Sequence, residues 1–588
     1  MLSLKPGLRP YLLSYLLALP VAIAAALLQP IWNPIDEAAH FDLVDQYAHG
    51  VPAAVGTPMR PETVALMRIH GVNPGVQLEM PLQPFASPPV GTSAHAGEVW
   101  LRRHLWEYSD EALQPPLYYL AAIPFWLAGY DAGGPAGALY TLRLLNAFLF
   151  AMLAPISFAL CRLLLPTSRW APRLAAALAA VMPGTLYDGT HVTNDAAATV
   201  GSSAVLLFAA WRSARGWAWR SSLLAGALVG LALLIKPTAA GIAIATAVAM
   251  LISPSASVAA RLGHLALAAG GGLAVFLPWP IANRILFGAF TQFNQPQVKL
   301  ILDLVPPAPI DALQGVQQLL AGSFDFWGLG LFAVVMVALS LFALPGIVHL
   351  LLERSGGANR IVLAICLTGF AGQGAFALLL PALSGTGAPS PGRYMYPAVA
   401  AAFVIVIAGW WKYRVPGYLG VALLAITALA LIVSLPGRVV TNAGRPVSRF
   451  GQPAPTASSI GLRGQGSANG LTAQVDSARY DPTTQTLWLH YIATNQSTGS
   501  VEWVPTPVLL LDGAPVPVAR VTYGFTADTL RPDDVESGWV DVTVDRGRLG
   551  AARSVAVSFP DVADLGYQHL QDLELPLCSL TSTPSDTC

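Results

Sequence analysis

The sequence predicts a polytopic α-helical membrane protein of about 11 spans with a C-terminal external β-sandwich domain, and three observations carry that prediction. Hydrophobic residues make up 54% of the 588-residue chain and charged residues only 11%, at a mean hydropathy of +0.56. Apolar runs of membrane-spanning length recur between residues 11 and 436. After residue 437, Pro, Gly, Ser and Thr rise and short alternating segments replace the apolar runs. A formal net charge of zero gives no electrostatic case for nucleic acid. The four cysteines, Cys161, Cys366, Cys578 and Cys588, form no metal-ligand spacing.

The first apolar run, 11–29, follows Lys5 and Arg9 and ends in Gln-Pro-Ile-Trp-Asn-Pro without a small-residue cleavage site, so it reads as a retained first span. Further runs fall at 139–161, 171–187, 196–212, 221–235, 239–253, 262–282, 327–352, 360–383, 394–411 and 417–436. The run at 115–130 is decided by the positive-inside rule. Lys5 and Arg9 place the N-terminus inside; if 115–130 crossed the bilayer, Arg162, Arg169 and Arg173 and every later basic loop would fall outside. Read as an interfacial helix, it leaves those loops inside and makes 30–138 one long external loop. The same parity puts 188–195, 283–326, 384–393 and everything beyond 437 outside. Residues 1–436 then form the membrane region, 437–459 a linker and 460–588 the β-rich domain, with "TLWLHYIAT", "VPVARVTYGF", "GWVDVTV" and "SVAVSFP" as strand segments. Cys578 and Cys588 share the external side and are candidates to pair. Gly270–Gly272, in an apolar run, reads as a site of close helix packing.

The stretch "NPIDEAAHFDLVDQYAHG", 33–50, predicts a helix capped by Asn33, with Pro34 in the first turn and Gly50 as the stop. Asp36 and Glu37 complement the helix dipole there by about 0.3–1 kcal/mol. That does not account for two carboxylates standing immediately outside the first span. Asp36 and His40, four apart, share a face. Other polar residues fall at the same membrane level: His191, Asn194 and Asp195 in "THVTNDAAATVG", Lys236 in "LLIKPTAAG", Arg284 in "LPWPIANRILFG", Asp325 in "SFDFWG" and Arg393 in "SPGRYMYP". Lysine and arginine at helix ends commonly snorkel to the interface. Carboxylates and cations converging from distant spans instead suit a phosphate-bearing lipid, with cations on the phosphate and a carboxylate as base.

These segments resemble the GT-C class of membrane glycosyltransferases, which use polyprenyl-phosphate-linked sugars and include protein O-mannosyltransferases and aminoarabinose transferases. "PIDEAAHF", "QPPLYYLAAIPFW", "LYTLRLLNAF", "TNDAAA", "LALLIKPTA", "PWPIANRILFG", "SFDFWG" and "PGRYMYP" carry the likeness, in order, over roughly residues 10–410. The resemblance implies a base at the acidic pair, Asp36 or Glu37, and a cavity framed by the external loop and shared by lipid donor and acceptor. One departure is Gln114 before Pro115-Pro116, where relatives often carry His or Lys.

The chemistry this implies is transfer of a sugar to an acceptor hydroxyl, with inversion by direct in-line attack. A positioned base contributes about 10²–10⁴-fold, and cations in a low-dielectric site stabilise the departing phosphate. Lys236, Arg284 and Arg393 are the candidate phosphate ligands, the arginines by a bidentate fork and the lysine as a point charge. Asn194 or Asp195 is assigned to sugar hydroxyls or the acceptor, His40 to tuning Asp36, and Tyr394 and Trp327 to the lipid groove. A metal is left open: Asp36 and Asp195 offer oxygen ligands to Mg²⁺, Mn²⁺ or Ca²⁺, but three cations already serve a monophosphate, so none is expected to be obligatory. The expected partners are the bilayer, a polyprenyl-phosphate-linked sugar and a glycan, glycolipid or protein acceptor, in a bacterial inner (plasma) membrane with the C-terminal domain external, in the periplasm. The alternatives are a transporter or lipid flippase, which would place its charges near the midplane of related halves, and a non-catalytic glycan-binding envelope protein.

Overall fold

The computed structural model describes residues 7–29, 37–51, parts of 54–66, 110–253, 257–291, 343–352, 357–384, 392–412 and most of 457–579. Asp36, Asp325, Trp327, Cys588, the side chain of Cys578, the span at 417–436, most of the linker and the strand segment at 517–525 lie outside the described residues. The chain divides into two units, one holding the helices and the other the C-terminal strands.

In the helical unit, α1 (Arg9–Leu28) and α2 (Glu37–Ala48) precede a 3₁₀ turn at Asp110–Leu113 and α3 (Leu117–Ala151). There follow α4 (Leu153–Leu164), α5 (Ala171–Val181), α6 (Pro183–Asp188), α7 (Asp195–Ser213), α8 (Trp219–Ile235) and α9 (Ala240–Leu251). The described helices end with α10 (Val258–Phe276), α11 (Pro278–Phe287), α12 (Leu344–Leu352), α13 (Gly357–Ser384), a 3₁₀ strap at Gly392–Ala398 and α14 (Val399–Lys412). Among the described residues five helical stretches are long and apolar enough to cross a membrane: Arg9–Leu28, Leu117–Leu164, Val258–Phe287, Asn359–Leu379 and Arg393–Trp411. Three shorter apolar helices, Ala171–Val181, Trp219–Ile235 and Pro237–Leu251, accompany them. The run at 171–187 is broken at Met182, whose extended backbone precedes Pro183, as the residue before a proline favours.

The most consequential departure from a plain run of helices is inside α3. Gly133 and Gly134 leave helical geometry, Gly134 at φ +63°, a left-handed conformation open to glycine. A Cβ on Gly129 would meet the Gly137 carbonyl oxygen at 2.6 Å, and Tyr118 donates to Asn146, 28 residues on, at 3.1 Å. An unbroken helix would hold those two residues roughly 42 Å apart. The limb 117–132 therefore folds back along 137–146. Helix α1 lines the stretch from Arg143 onward: Tyr11 stacks edge-on against Phe158 at 5.3 Å, and the carbonyls of Ala26 and of Gln29, just past the end of α1, meet Arg143. The limb 117–132 thus sits at the Arg143 end of the helix that α1 accompanies. Elsewhere α8 and α10 approach so closely that a Cβ on Gly271 would meet the Leu223 carbonyl oxygen at 2.5 Å, the small-residue packing expected of the glycine run.

The C-terminal unit is all antiparallel apart from one short helix. Its strands are β1 (Ser458–Ile460), β2 (Leu462–Ala468), β3 (Leu471–Asp481), β4 (Thr486–Asn495), β5 (Val501–Trp503), β6 (Val508–Leu511), β7 (Ala514–Pro515), β8 (Asp528–Leu530), β9 (Val535–Thr543), β10 (Val555–Asp564) and β11 (Leu570–Ser579). The ladder runs β7-β6-β10-β11-β2-β3-β4-β9, with β1, β5 and β8 off this path. Where a two-sheet sandwich is predicted, the described strands form one continuous sheet, because β11 pairs with β2 through Cys578–Arg463 and Ser579–Leu462. The ladder nevertheless folds over on itself. Tyr491 of β4 meets Trp503 at 5.5 Å and Phe559 of β10 at 6.1 Å, although β4 and β10 are not neighbours. Trp503 and Phe559 are fully buried, and their rings lie 5.2 Å apart. Phe559→Ala is expected to cost this unit about 3–5 kcal/mol, read as a lowered first transition in thermal unfolding of the whole chain; an unchanged transition would show that the aromatic cluster is not its core.

Candidate active site

The site begins where α1 ends. The last carbonyls of a helix have no partner within it, and here the Arg143 guanidinium supplies one, donating to Gln29 at 3.0 Å and Ala26 at 3.4 Å. The other face of the same guanidinium grips Glu37 in a fork, Nε to Oε1 at 2.8 Å and Nη2 to Oε2 at 2.6 Å. The Val192 backbone N–H adds a third donor to Oε1 at 2.8 Å. Neither side chain has any exposure. Burial pushes the Glu37 carboxyl up, but Arg143, His191 and the Val192 N–H outweigh it and hold the group below its ordinary value. This places Glu37 as an anchor that ties the start of α2 to α1, α3 and the 188–195 loop.

One turn along α2, His40 accepts or donates at both ring nitrogens. Nδ1 lies 2.8 Å from the Tyr119 hydroxyl and Nε2 3.2 Å from the Thr193 hydroxyl, with Glu111 3.7 Å away. Thr193 in turn donates to Asp195 Oδ2 at 3.2 Å, and Lys236 Nζ meets Asp195 Oδ1 at 2.7 Å. The Lys236 ammonium stands 5.8 Å from the Tyr394 ring centroid, within cation–π range. Asn194 donates to the Ile235 carbonyl at 3.0 Å and to Gln114 at 3.4 Å; its Oδ1 is buried with no partner among the described residues. Gln114 is therefore part of the same network.

The strap at Gly392–Ala398 closes the other side. Arg393 lies near enough to act electrostatically on Asp188 and Asp195. Tyr396 donates to Asp188 Oδ2 at 2.8 Å. Gln373, fully buried on α13, donates through its amide to the carbonyls of Thr238 and Tyr394, both at 2.6 Å. It thereby binds the turn carrying Lys236 to the strap carrying Arg393 and Tyr394.

The structure thus brings Glu37, His40, Asn194, Asp195, Lys236, Arg393 and Tyr394 into one buried polar network. Among the described residues it does not bring in Arg284, which is exposed on α11 and donates to the Gly288 carbonyl at the end of its own helix. Arg143, Asp188, Gln373 and Tyr396 went unassigned in the sequence reading. Arg143 and Asp188 carried usable signals, an arginine within an apolar run and a carboxylate at the end of one; Gln373 and Tyr396 lacked one. Among the described residues no three His, Cys, Asp or Glu side chains group as metal ligands. Asp195 meets Lys236 and Thr193, so it is not poised as an open ligand.

Asp195 also sets a pH expectation. Burial pushes its carboxyl up, but Lys236 and Arg393 prevail and hold it at about 2, against an ordinary 3.8. A carboxylate depressed in the folded state stabilises above its unfolded value and loses that contribution as pH falls through its folded value. The Asp195 contribution should be intact at pH 5 and lost between about 3.8 and about 2. Comparing acid unfolding of wild type and Asp195→Asn checks this: the two curves should converge over that window, and parallel curves would contradict it.

Residues 139–281 match the sequence model of the family described as dolichyl-phosphate-mannose-protein mannosyltransferase. The matched stretch lies within residues 10–410, the region whose segments resemble the GT-C class. No curated protein sequence matches the chain significantly. Among solved structures, one similar to this chain is the archaeal oligosaccharyltransferase AglB from Archaeoglobus fulgidus in complex with an inhibitory peptide and a dolichol-phosphate. It shows 15% identity over 76% of this chain and 57% of that one, with a TM-score of 0.41. ArnT from Cupriavidus metallidurans bound to undecaprenyl phosphate is similar at 15% identity over 74% of this chain and 72% of that one, with a TM-score of 0.40. This chain spans less than two thirds of the length of the archaeal enzyme.

Proposed function

We propose that this protein is an integral-membrane glycosyltransferase that moves a sugar from a polyprenyl-phosphate donor to an acceptor hydroxyl on a glycan, glycolipid or protein. The observation that carries this reading is the buried network that gathers carboxylates and cations from residues 37 to 396 at one end of α1. Asp36 is the general base, since Glu37, its neighbour in sequence, is committed to Arg143 and Val192, and it takes the proton of the acceptor hydroxyl as the oxygen attacks the anomeric carbon in line, with inversion. Lys236 and Arg393 neutralise the departing phosphate in a low-dielectric surrounding, where their effect is amplified. Arg284 is exposed on α11 among the described residues, and the proposed chemistry does not rely on it. Asn194 and Asp195 face the sugar or the acceptor, and His40 tunes the base. No metal step is needed.

The topology that suits this reading has eleven spans, the N-terminus inside and the site at the external face of a bacterial inner membrane. The placement of the limb 117–132 at the Arg143 end of its helix supports counting it as interfacial rather than as a twelfth span. The β-rich unit at 460–588 then lies outside.

The test is transfer of radiolabelled sugar from a panel of polyprenyl-phosphate donors in membranes holding the full chain. Sugar in an acceptor fraction, with release of polyprenyl phosphate, is the expected result. Donor that crosses the bilayer with its sugar bond intact would instead make the protein a flippase.

A further inference from the structure

Asp188 closes α6 and has no place in the reaction described above. Its Oδ2 receives the Tyr396 hydroxyl at 2.8 Å. Its Oδ1 is buried and accepts no hydrogen bond from any described residue, in a side chain only 6% exposed. A buried acceptor left unmet costs about 1–3 kcal/mol, so such an atom within electrostatic reach of Asp195 and Arg393 points to a donor that arrives with the ligand.

Location narrows the chemistry of that donor. Asp188 lies on the 188–195 loop and Tyr396 on the strap at Gly392–Ala398, the two segments that also carry Asp195 and the cation Arg393. His191 and Arg393 act on the Asp188 charge attractively and Asp195 repulsively. A carboxylate in that position repels a phosphate and cannot be one of its ligands. What it recognises is a hydrogen-bond donor borne next to a phosphate, and on a phosphate-linked sugar that group is a ring hydroxyl. Burial pushes the Asp188 carboxyl above its ordinary value, against the pull of His191, Arg393 and the Tyr396 hydroxyl, as suits a group whose second oxygen awaits a partner.

Resting on the glycosyltransferase reading, we propose that Asp188, oriented by Tyr396, is a substrate-contacting residue whose free oxygen accepts a hydroxyl of the donor's sugar. A hydrogen bond to a charged group at this position corresponds to roughly 10- to 100-fold in affinity. The experiment measures binding of two probes to the full chain in detergent: sugar-free undecaprenyl phosphate, and the tightest binder among undecaprenyl phosphates carrying mannose, glucose or arabinose. Asp188→Ala should weaken the sugar-bearing lipid by at least about tenfold while sugar-free lipid binds as tightly as to wild type or more tightly, since a repelling charge is gone. Asp188→Asn keeps the volume and an oxygen for Tyr396 and should show the same selective loss to a smaller degree, so the test survives if the alanine variant does not fold. Tyr396→Phe should follow it. Equal weakening of both lipids, or no weakening of either, overturns the proposal and leaves the glycosyltransferase reading standing. Wild type that binds neither lipid overturns that reading and this one with it.

Discussion

Asp36→Asn should abolish sugar transfer, by about 10²–10⁴-fold in kcat, with little change in donor affinity. The substitution keeps size and hydrogen-bonding capacity and removes the basicity, so a loss confined to turnover identifies a base rather than a binding group. The neighbouring residue provides the contrast. Glu37 spends both carboxylate oxygens on Arg143 and Val192, and Glu37→Gln should reduce activity through loosened structure, with lower thermal stability as its companion. Transfer assays and unfolding curves on the two variants separate these roles. If Asp36→Asn retained full transfer, the assignment of the base would be wrong.

Within the helical unit the largest stability effect belongs to Arg143. Arg143→Met leaves Glu37 buried without its counter-charge and leaves the carbonyls of Ala26 and Gln29 without their donor. Breaking a buried pair from one side costs about 3–5 kcal/mol, which in a membrane protein is expected to show as poor yield and early thermal aggregation. Removing both charges together is expected to be milder than removing the arginine alone, since the double variant Glu37→Gln with Arg143→Met strands no charge. Thermal unfolding of the two singles and the double closes this cycle. Additive losses would mean that Glu37 and Arg143 act independently, against the geometry of the fork.

Much of the helical unit was legible because spans declare themselves by length and hydropathy. The runs at 11–29, 196–212 and 221–235 correspond to α1, α7 and α8 within two residues at each end. The strand segments of β4 and β9 were legible from their alternation. What stayed hidden depends on distance between segments. The fold-back at Gly133–Gly134 leaves an apolar stretch that reads as two ordinary runs, because nothing local says that residue 118 will meet residue 146. The continuity of the sheet hinges on two residue pairs between its first long strand and its last, which no periodicity encodes. In the site, polar and charged residues beside spans could be picked out one at a time, and seven of them do join among the described residues. Arg284 did not, because being near a span end gives no direction. Gln373 and Tyr396 were missed for the converse reason: a glutamine or tyrosine in an apolar run carries no mark of the two carbonyls or the carboxylate it will meet.

The pairing of β11 with β2 has a consequence for how the chain is made. Strands β2, β3 and β4 leave the ribosome as neighbours and can pair at once, but the edge of β2 stays open until the last strand has been synthesised. Open edges of this kind invite pairing with other chains, and pairings distant in sequence form slowly. The unit is therefore exposed to misassembly for the whole interval between synthesis of its second strand and its eleventh. A truncation that removes β11 should not give a slightly shortened domain but a partly folded one with a permanent open edge, the species most prone to aggregate or be degraded.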